Sequence, residues 1–414
     1  MVKFGKQSAK RLLCLLLVLG IMLTSYSFTA SAQNPSMEIA DVKSAGFPFI
    51  FVAGYGGWGQ YDKINRTVFY WGGLQGNLVK YLNKQGFECA AASVDPIGSA
   101  WDRACELYAQ LAGTVVDYGA VHAAQYGHAR FGFDYSEKPL LQGWGSEVDG
   151  GVKKVNFICH SFGGATARLL AELLANGDAE EASGAKDDVS PLFTGGKAEW
   201  INSITAISSP HNGTTALEMA MPLFKLRELL GIKGKDRPIP SLGLLGITEH
   251  LLKLSKAMAK GMGPDTGLYD LSLDGAAELN RRISTLDNIY YFSLPVDGTT
   301  VSVISNRRVP DMKIPELMVW PTEIFMGGYT GVTAGGITID SSWFCNDGVV
   351  NTESCKAPQN EASQTYDENR VVPAIWQVME TAQGVHYTMV NGGFVYMVRI
   401  KPFYVEHMTL INSL

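Results

Sequence analysis

The apolar run Val155 to Ile158 meets Cys159-His160-Ser161-Phe162-Gly163-Gly164, and the next residues, Ala165 to Ala175, carry Leu and Ala at helical spacing. This is a strand running into a helix through one tight turn with a serine at its apex. The segment matches G-x-S-x-G with the first glycine replaced by another small residue, Cys159. Small residues are needed on both sides because the serine of such an elbow sits in a strained strand-to-helix turn where backbones come close. Ser161 is therefore a candidate nucleophile; the plainer use of a serine at this place is to cap the helix after it.

The rest of the chain agrees with a sheet that can hold such a turn. Phe47 to Val52 reads as a buried strand ending in the glycine-rich loop Gly54-Tyr55-Gly56-Gly57-Trp58-Gly59. A helix through Leu74 to Asn83 and a strand around Phe87 to Val94 come next, and Ile201 to Ile207 is a further strand ending in Ser209-Pro210-His211-Asn212-Gly213. Strands alternating with helices predict a mostly parallel α/β sheet. With no internal repeat and no low-complexity linker, residues 33–414 read as one domain with two insertions. Residues about 95 to 150 are rich in Trp, Tyr, His and Gly where a crossover helix would suffice. Residues about 214 to 264 hold Ile247, Leu251, Leu254 and Met258 at helical spacing, interrupted by Gly231 to Pro240; such a stretch can be core, but directly after a sheet strand it better suits a mobile lid.

Residues 1–32 stand apart. Lys3, Lys6, Lys10 and Arg11 precede the apolar run Leu12 to Leu23, and Ala30-Ser31-Ala32 offers a small-x-small cleavage pattern, so the segment reads as a secretory signal and the mature chain starts at Gln33. The alternative, an uncleaved anchor, is disfavoured because the run is shorter than the roughly 18–20 residues a membrane span needs. No later stretch looks like a transmembrane helix. The expected location is extracellular. Hydrophobic residues make up 46% and charged residues 18%, which excludes a disordered chain. The net charge of −6, with no Lys/Arg-dense stripe, gives no reason to expect nucleic acid as a partner. Five cysteines lie beyond the leader, too few for a disulfide scaffold, although Cys345 and Cys355 could bridge.

If Ser161 is a nucleophile, acyl transfer also needs amide donors where the oxyanion forms. These come from the residue after the serine, Phe162, and from the loop after an early strand, where the Tyr55 amide is the natural choice. Chain order places an acid and then a histidine after the serine. Asn346-Asp347-Gly348-Val349-Val350-Asn351 holds Asp347 in a glycine turn beside an apolar segment, with Asp340 its nearest rival. His211 precedes the acid and His250 sits in the lid stretch, which leaves His386, in Gln383-Gly384-Val385-His386-Tyr387, ahead of His407 near the terminus.

Together these stretches resemble the secreted bacterial lipases of family I.5, the Bacillus and Geobacillus group, and their clostridial and Pelosinus relatives that also act on synthetic polyesters. The resemblance rests on Gly54 through Gly59, Tyr70-Trp71-Gly72-Gly73, Trp101-Asp102-Arg103-Ala104-Cys105-Glu106-Leu107-Tyr108, Val116-Asp117-Tyr118-Gly119, His122 through Gly132, Ser190-Pro191-Leu192-Phe193 and Trp343 through Asn351. It implies an α/β-hydrolase fold with a zinc-binding insertion and a helical lid. In the family the loop with the catalytic histidine begins ten residues after a tryptophan, and Trp376 stands ten before His386. The resemblance also implies a zinc site of two aspartates and two histidines: Asp102, His122 and His128 match by their neighbours, and Asp265, which could otherwise be a helix cap, matches the fourth. Four protein ligands with no open position mark a structural site. Without the resemblance, His122 and His128 read as polar loop residues. The family's calcium site uses acidic residues just after the catalytic histidine; Tyr387-Thr388-Met389-Val390-Asn391 lacks them, so calcium is not expected. The lid region matches poorly.

The expectation is a secreted carboxylic ester hydrolase, a triacylglycerol lipase or esterase with polyesters as further candidate substrates, using Ser161, His386 and Asp347. Partners would be lipids, esters or polymer surfaces. The competing readings are an inactive relative serving as a surface binding protein, and a peptidase or acyltransferase on the same fold.

Overall fold

The computed structural model describes residues 46–148, 151–184, 188–219 and 261–414. The expected signal segment and residues 220–260 of the expected lid lie outside these. Seven strands form one sheet: β1 (Phe49–Val52), β2 (Cys89–Ala92), β3 (Val155–His160), β4 (Ile201–Ile207), β5 (Tyr290–Leu294), β6 (Ser363–Thr365) and β7 (Trp376–Val378). Their order across the sheet is β6-β7-β5-β4-β3-β1-β2, and every pairing is parallel. The central strands are apolar runs because both faces are covered. Alternate residues divide between two cores. Ile50, Val52, Phe157 and Cys159 pack with Ala104, Leu107, Leu170 and Leu174 of the helices Ala100–Ala112 and Gly163–Asn176. Phe49, Phe51, Ile158 and Phe292 pack on the other face with Leu78, Leu82, Tyr404 and Met408 of the helices Leu78–Lys84 and Lys401–Ile411.

Strand order reverses at β1, whose neighbours are β2 on one side and β3 on the other, with Val52 opposite Cys159. At such a switch point the loops leaving the strand ends diverge and open a crevice. The glycine-rich loop after β1 and the turn after β3 therefore meet there.

Three details differ from the sequence reading. The helix expected from Leu74 is interrupted by Gly76 at φ +85° and starts at Leu78, where the Asn77 side chain caps the Lys80 amide. Residues 95–150 divide in two: the helix Ala100–Ala112 is the crossover between β2 and β3, buried in the main core, and the added material begins only after its C-terminus. Cys345 and Cys355 are free thiols and do not bridge.

Candidate functional site

The elbow after β3 is built by backbone crowding. Ser161 has φ +53°, a left-handed conformation that costs a residue with a side chain on the order of 1 kcal/mol and persists only where surroundings enforce it. A Cβ on Gly163 would lie 2.3 Å from the Val52 carbonyl oxygen, and one on Gly164 2.5 Å from Ser209 Oγ, so the turn can close only with glycine at both. The loop after β1 lies against the serine: a Cβ on Gly54 would stand 2.7 Å from Ser161 Cβ.

Asp347 and His386 are brought to the same end of the sheet by two further loops. The short parallel pair Val296–Asp297 and Ala382–Gln383, a separate two-stranded sheet just after β5 and β7, delivers the loop that carries His386. The Asp347 turn is closed on itself: its Oδ1 accepts from the Val349 and Val350 amides at 2.9 and 2.7 Å, and Gly348 takes φ +87°. Its other oxygen faces His386 Nδ1 at 2.8 Å, and the His386 amide donates to the Asp347 carbonyl at 2.9 Å. Both side chains are buried. A carboxylate at Nδ1 fixes the imidazole tautomer with Nε2 free to accept a proton. His160 ties this loop to the elbow, its Nε2 meeting the His386 carbonyl at 2.9 Å. The Tyr70 hydroxyl accepts from the Gly54 amide at 2.9 Å and stands 2.5 Å from His160 Nδ1. One proton assignment satisfies the series: the hydroxyl donates to Nδ1 and Nε2–H donates to the His386 carbonyl. His160 is thereby neutral, and burial, then the nearby His386, push its pKa well below the usual imidazole value.

The two amides expected to serve an oxyanion are both uncommitted: neither the Tyr55 nor the Phe162 N–H has an acceptor among the described residues. Two unpaired amides beside a strained serine are open to an outside acceptor.

Asp102 from the first turn of the crossover helix, His122 and His128 from the added material after it, and the distant Asp265 converge, and one ligand atom from each lies within 4.8 Å of the rest. His122 Nε2 is 3.3 Å from both Asp102 Oδ1 and Asp265 Oδ1, while His128 Nε2 is 4.0 and 3.6 Å from the same two carboxylates. None of Asp102 Oδ1, His122 Nε2, His128 Nε2 and Asp265 Oδ1 has a hydrogen-bond partner, although all are buried. Ligands roughly 2.0–2.1 Å from a tetrahedral Zn²⁺ lie about 3.3–3.4 Å apart; the two His122 contacts have that spacing and the His128 contacts are longer. His128 Nδ1 faces the Ala129 carbonyl at 2.9 Å, which turns Nε2 inward, and His122 is stacked on Trp101. Burial alone would lower the His122 pKa, but the Asp102 and Asp265 carboxylates push it up to about 9.

The rivals fall elsewhere. His407 is buried beneath the sheet, its Nε2 2.8 Å from Thr205 Oγ1, and burial lowers its pKa to about 3. Asp340 is exposed and caps the Ser342 amide, and His211 packs edge-on against Trp376. His250 lies outside the described residues. Sequence reasoning missed Tyr70 and Arg103, although both stand inside the stretches that carry the resemblance. It also missed Glu323, buried with neither carboxyl oxygen hydrogen-bonded; burial, then Asp347 and Asp297, push its pKa up to about 8.

Residues 45–231 and 250–409 match the family model described as lipase-like, C-terminal domain. Lipase 1 of Staphylococcus aureus is 35% identical over 352 residues, 81% of this chain and 49% of that protein, so the chain spans about half the length of the curated relatives it matches. Among solved structures, EstA from Clostridium botulinum aligns with 28% identity and a TM-score of 0.77, covering 96% of this chain and 98% of that one. Lipase 1 from Pelosinus fermentans aligns with 30% identity and a TM-score of 0.73, over 89% and 99% of the two chains. The Staphylococcus hyicus lipase aligns with 30% identity and a TM-score of 0.70, over 92% and 99%.

Proposed function

The chain belongs to the lipase-like C-terminal domain family and has the α/β-hydrolase fold, and from that premise we propose that it is a secreted serine ester hydrolase acting on lipid esters, with Ser161, His386 and Asp347 as its triad. The observation that carries the reading is the buried 2.8 Å His386–Asp347 pair at the same sheet end as Ser161 held at φ +53°.

In this reading Ser161 Oγ attacks the ester carbonyl as His386 Nε2 takes its proton. The carbonyl oxygen, now negative, accepts from the Tyr55 and Phe162 amides, whose lack of other partners leaves them ready for it. Collapse expels the alcohol, which receives the proton from Nε2, and leaves an acyl group on Ser161. Water then repeats the sequence, His386 taking its proton, and the acid leaves. Asp347 orients the imidazole and balances its transient charge.

Asp102, His122, His128 and Asp265 would hold a structural Zn²⁺. With four protein ligands it supplies a crosslink and no open position for chemistry. The cage dimensions and the orphaned ligand atoms support the assignment.

The test is p-nitrophenyl butyrate hydrolysis by the parent and Ser161→Ala, followed by triolein, tributyrin and a polyester film side by side. Loss of turnover in Ser161→Ala is expected; an inactive parent, or an active Ser161→Ala, would overturn the reading in favour of a binding protein or another nucleophile. Peptide cleavage without ester cleavage would favour a peptidase.

A further inference from the structure

Arg103 lies in the crossover helix one residue after Asp102 and is fully buried. Among the described residues no carboxylate forms an ion pair with it. A lone buried guanidinium is costly unless its N–H groups find acceptors, and here four of the five do. Nη2 donates to the Ala53 carbonyl at 2.5 Å, Nη1 to the Asp95 carbonyl at 2.9 Å and to the Gly54 carbonyl at 3.4 Å, and Nε to Thr166 Oγ1 at 2.9 Å. The guanidinium also sits 5.0 Å above the centre of the Phe162 ring.

These acceptors are not scattered. The Gly54 carbonyl and the Tyr55 N–H belong to one planar peptide, so holding the oxygen aims the N–H the opposite way. The preceding peptide is gripped on both edges, its Ala53 carbonyl by Arg103 and its Gly54 N–H by the Tyr70 hydroxyl at 2.9 Å. On the other side Thr166 Oγ1 takes the Arg103 Nε–H and donates to the Phe162 carbonyl at 3.2 Å, while the ring of Phe162 lies under the charge. One rigid fork thus touches the segments carrying both uncommitted amides.

Resting on the ester-hydrolase reading above, we propose that Arg103 is a positioning residue that sets the spacing of the Tyr55 and Phe162 amides around the oxyanion. A planar group with five donors can bind three carbonyls and a hydroxyl at once; a lysine ammonium at the same place has three donors about a single point and cannot span them.

Arg103→Lys keeps the charge and loses the fork. Removal of one oxyanion donor costs about 10²–10³ in kcat, and misplacement of donors that remain should cost about 10–100-fold, with KM within about threefold. Affinity for a boronic acid that forms a tetrahedral adduct with the serine should fall by the same factor as kcat. The pH profile of kcat should be unchanged. A merely structural role would lower the melting temperature and leave kcat and boronate affinity of the folded fraction unchanged, which would overturn the proposal. Should Arg103→Lys not fold, Thr166→Val removes the Nε acceptor at nearly constant shape and is expected to lower kcat and boronate affinity together by about 3–10-fold; parental values there would overturn it equally. A parent that hydrolyses no ester and takes up no fluorophosphonate at Ser161 would instead sink the underlying function, a result distinct from an active parent with indifferent Arg103 and Thr166 variants.

Discussion

Removing the metal from Asp102, His122, His128 and Asp265 should destabilise the protein by an amount that can be bounded. The proposed ion would bind the folded chain alone, because only folding brings Asp265 to Asp102. At free zinc near 1,000 times Kd the ion contributes about 4 kcal/mol by mass action. The entropy of unfolding is about 2.1 cal/mol/K per residue near 60 °C, so the roughly 380 residues after the expected leader have about 0.8 kcal/mol/K in total. The melting temperature should therefore drop by at least about 5 °C in strong chelator, and by more if the site binds with the affinity of structural zinc peptides. The chain also supplies a second signature. With no metal, a proton on His122 stands between the two carboxylates up to about pH 9. Zinc must displace it, so apparent affinity should rise close to tenfold per pH unit below 9 and each ion bound should release about one proton. Calorimetric titration in two buffers of different ionisation enthalpy reads the proton; scanning calorimetry with and without chelator reads the stability; elemental analysis should find about one zinc per chain. Metal-free protein with the same melting temperature in chelator would refute the assignment; uptake that ignores pH between 6 and 9 would refute only the proton on His122.

Asp347→Asn and His386→Ala should each lower kcat on p-nitrophenyl butyrate by about 10⁴ with the fold retained, since triad members act as a unit; a His407→Ala variant that lost activity while His386→Ala kept it would reverse the assignment of the base. Glu323 should make the protein less stable in alkali. Its native pKa of about 8 lies above the ordinary 4.5, so the native state keeps a proton that the unfolded state releases, and its stabilising contribution, full below about pH 4.5, is lost as pH rises through 8. Within that window the loss approaches about 1.4 kcal/mol per pH unit. Thermal melts should show Glu323→Gln gaining on the parent from pH 5 to 9, and parallel curves would count against the neutral carboxyl.

The elbow was legible because its requirement is steric and local: glycine at 163 and 164 is demanded by Val52 and Ser209 within a few ångströms. The same contacts explain why Cys159 can stand where the motif has glycine. Cys159 is a buried strand residue, paired with Val52 and Ala206, whose side chain enters the apolar core instead of meeting a backbone oxygen. His386 and Asp347 were narrowed by order and by turn chemistry, and the resemblance, through Trp376 ten residues earlier, set His386 further ahead of His407; the fold adds that His407 is buried under the sheet. Arg103 and Tyr70 were not legible as site residues. Apart from His160 and Thr166, the groups they hold are backbone carbonyls and amides, most of them in a loop 16 to 50 residues away, and a main-chain partner leaves no residue-type signal for a sequence pattern to find.

The two halves of the proposed site have separate main supports and are joined through Tyr70 and His160. Asp347 and His386 are held by each other, by the Val296–Asp297 and Ala382–Gln383 pairing, and by His160. The Tyr55 and Phe162 amides also lean on the side of the Asp102, His122, His128 and Asp265 cluster. Arg103 is the neighbour of Asp102 in one helix turn, and Gly267, two residues after Asp265, is packed so closely that a Cβ there would lie 3.0 Å from the rings of both Tyr55 and Phe162. Tyr55 of the loop and Asp102 and Asp265 of the cluster line one cavity of about 60 Å³. Loosening the cage therefore reaches the oxyanion donors before it reaches the base. If the cluster holds a metal, its partial loss should appear first as a lower kcat with the pH profile of kcat unmoved, and only on further heating as unfolding; a moved pH profile in chelator would show that the Tyr70–His160 link carries the disturbance to the histidine loop.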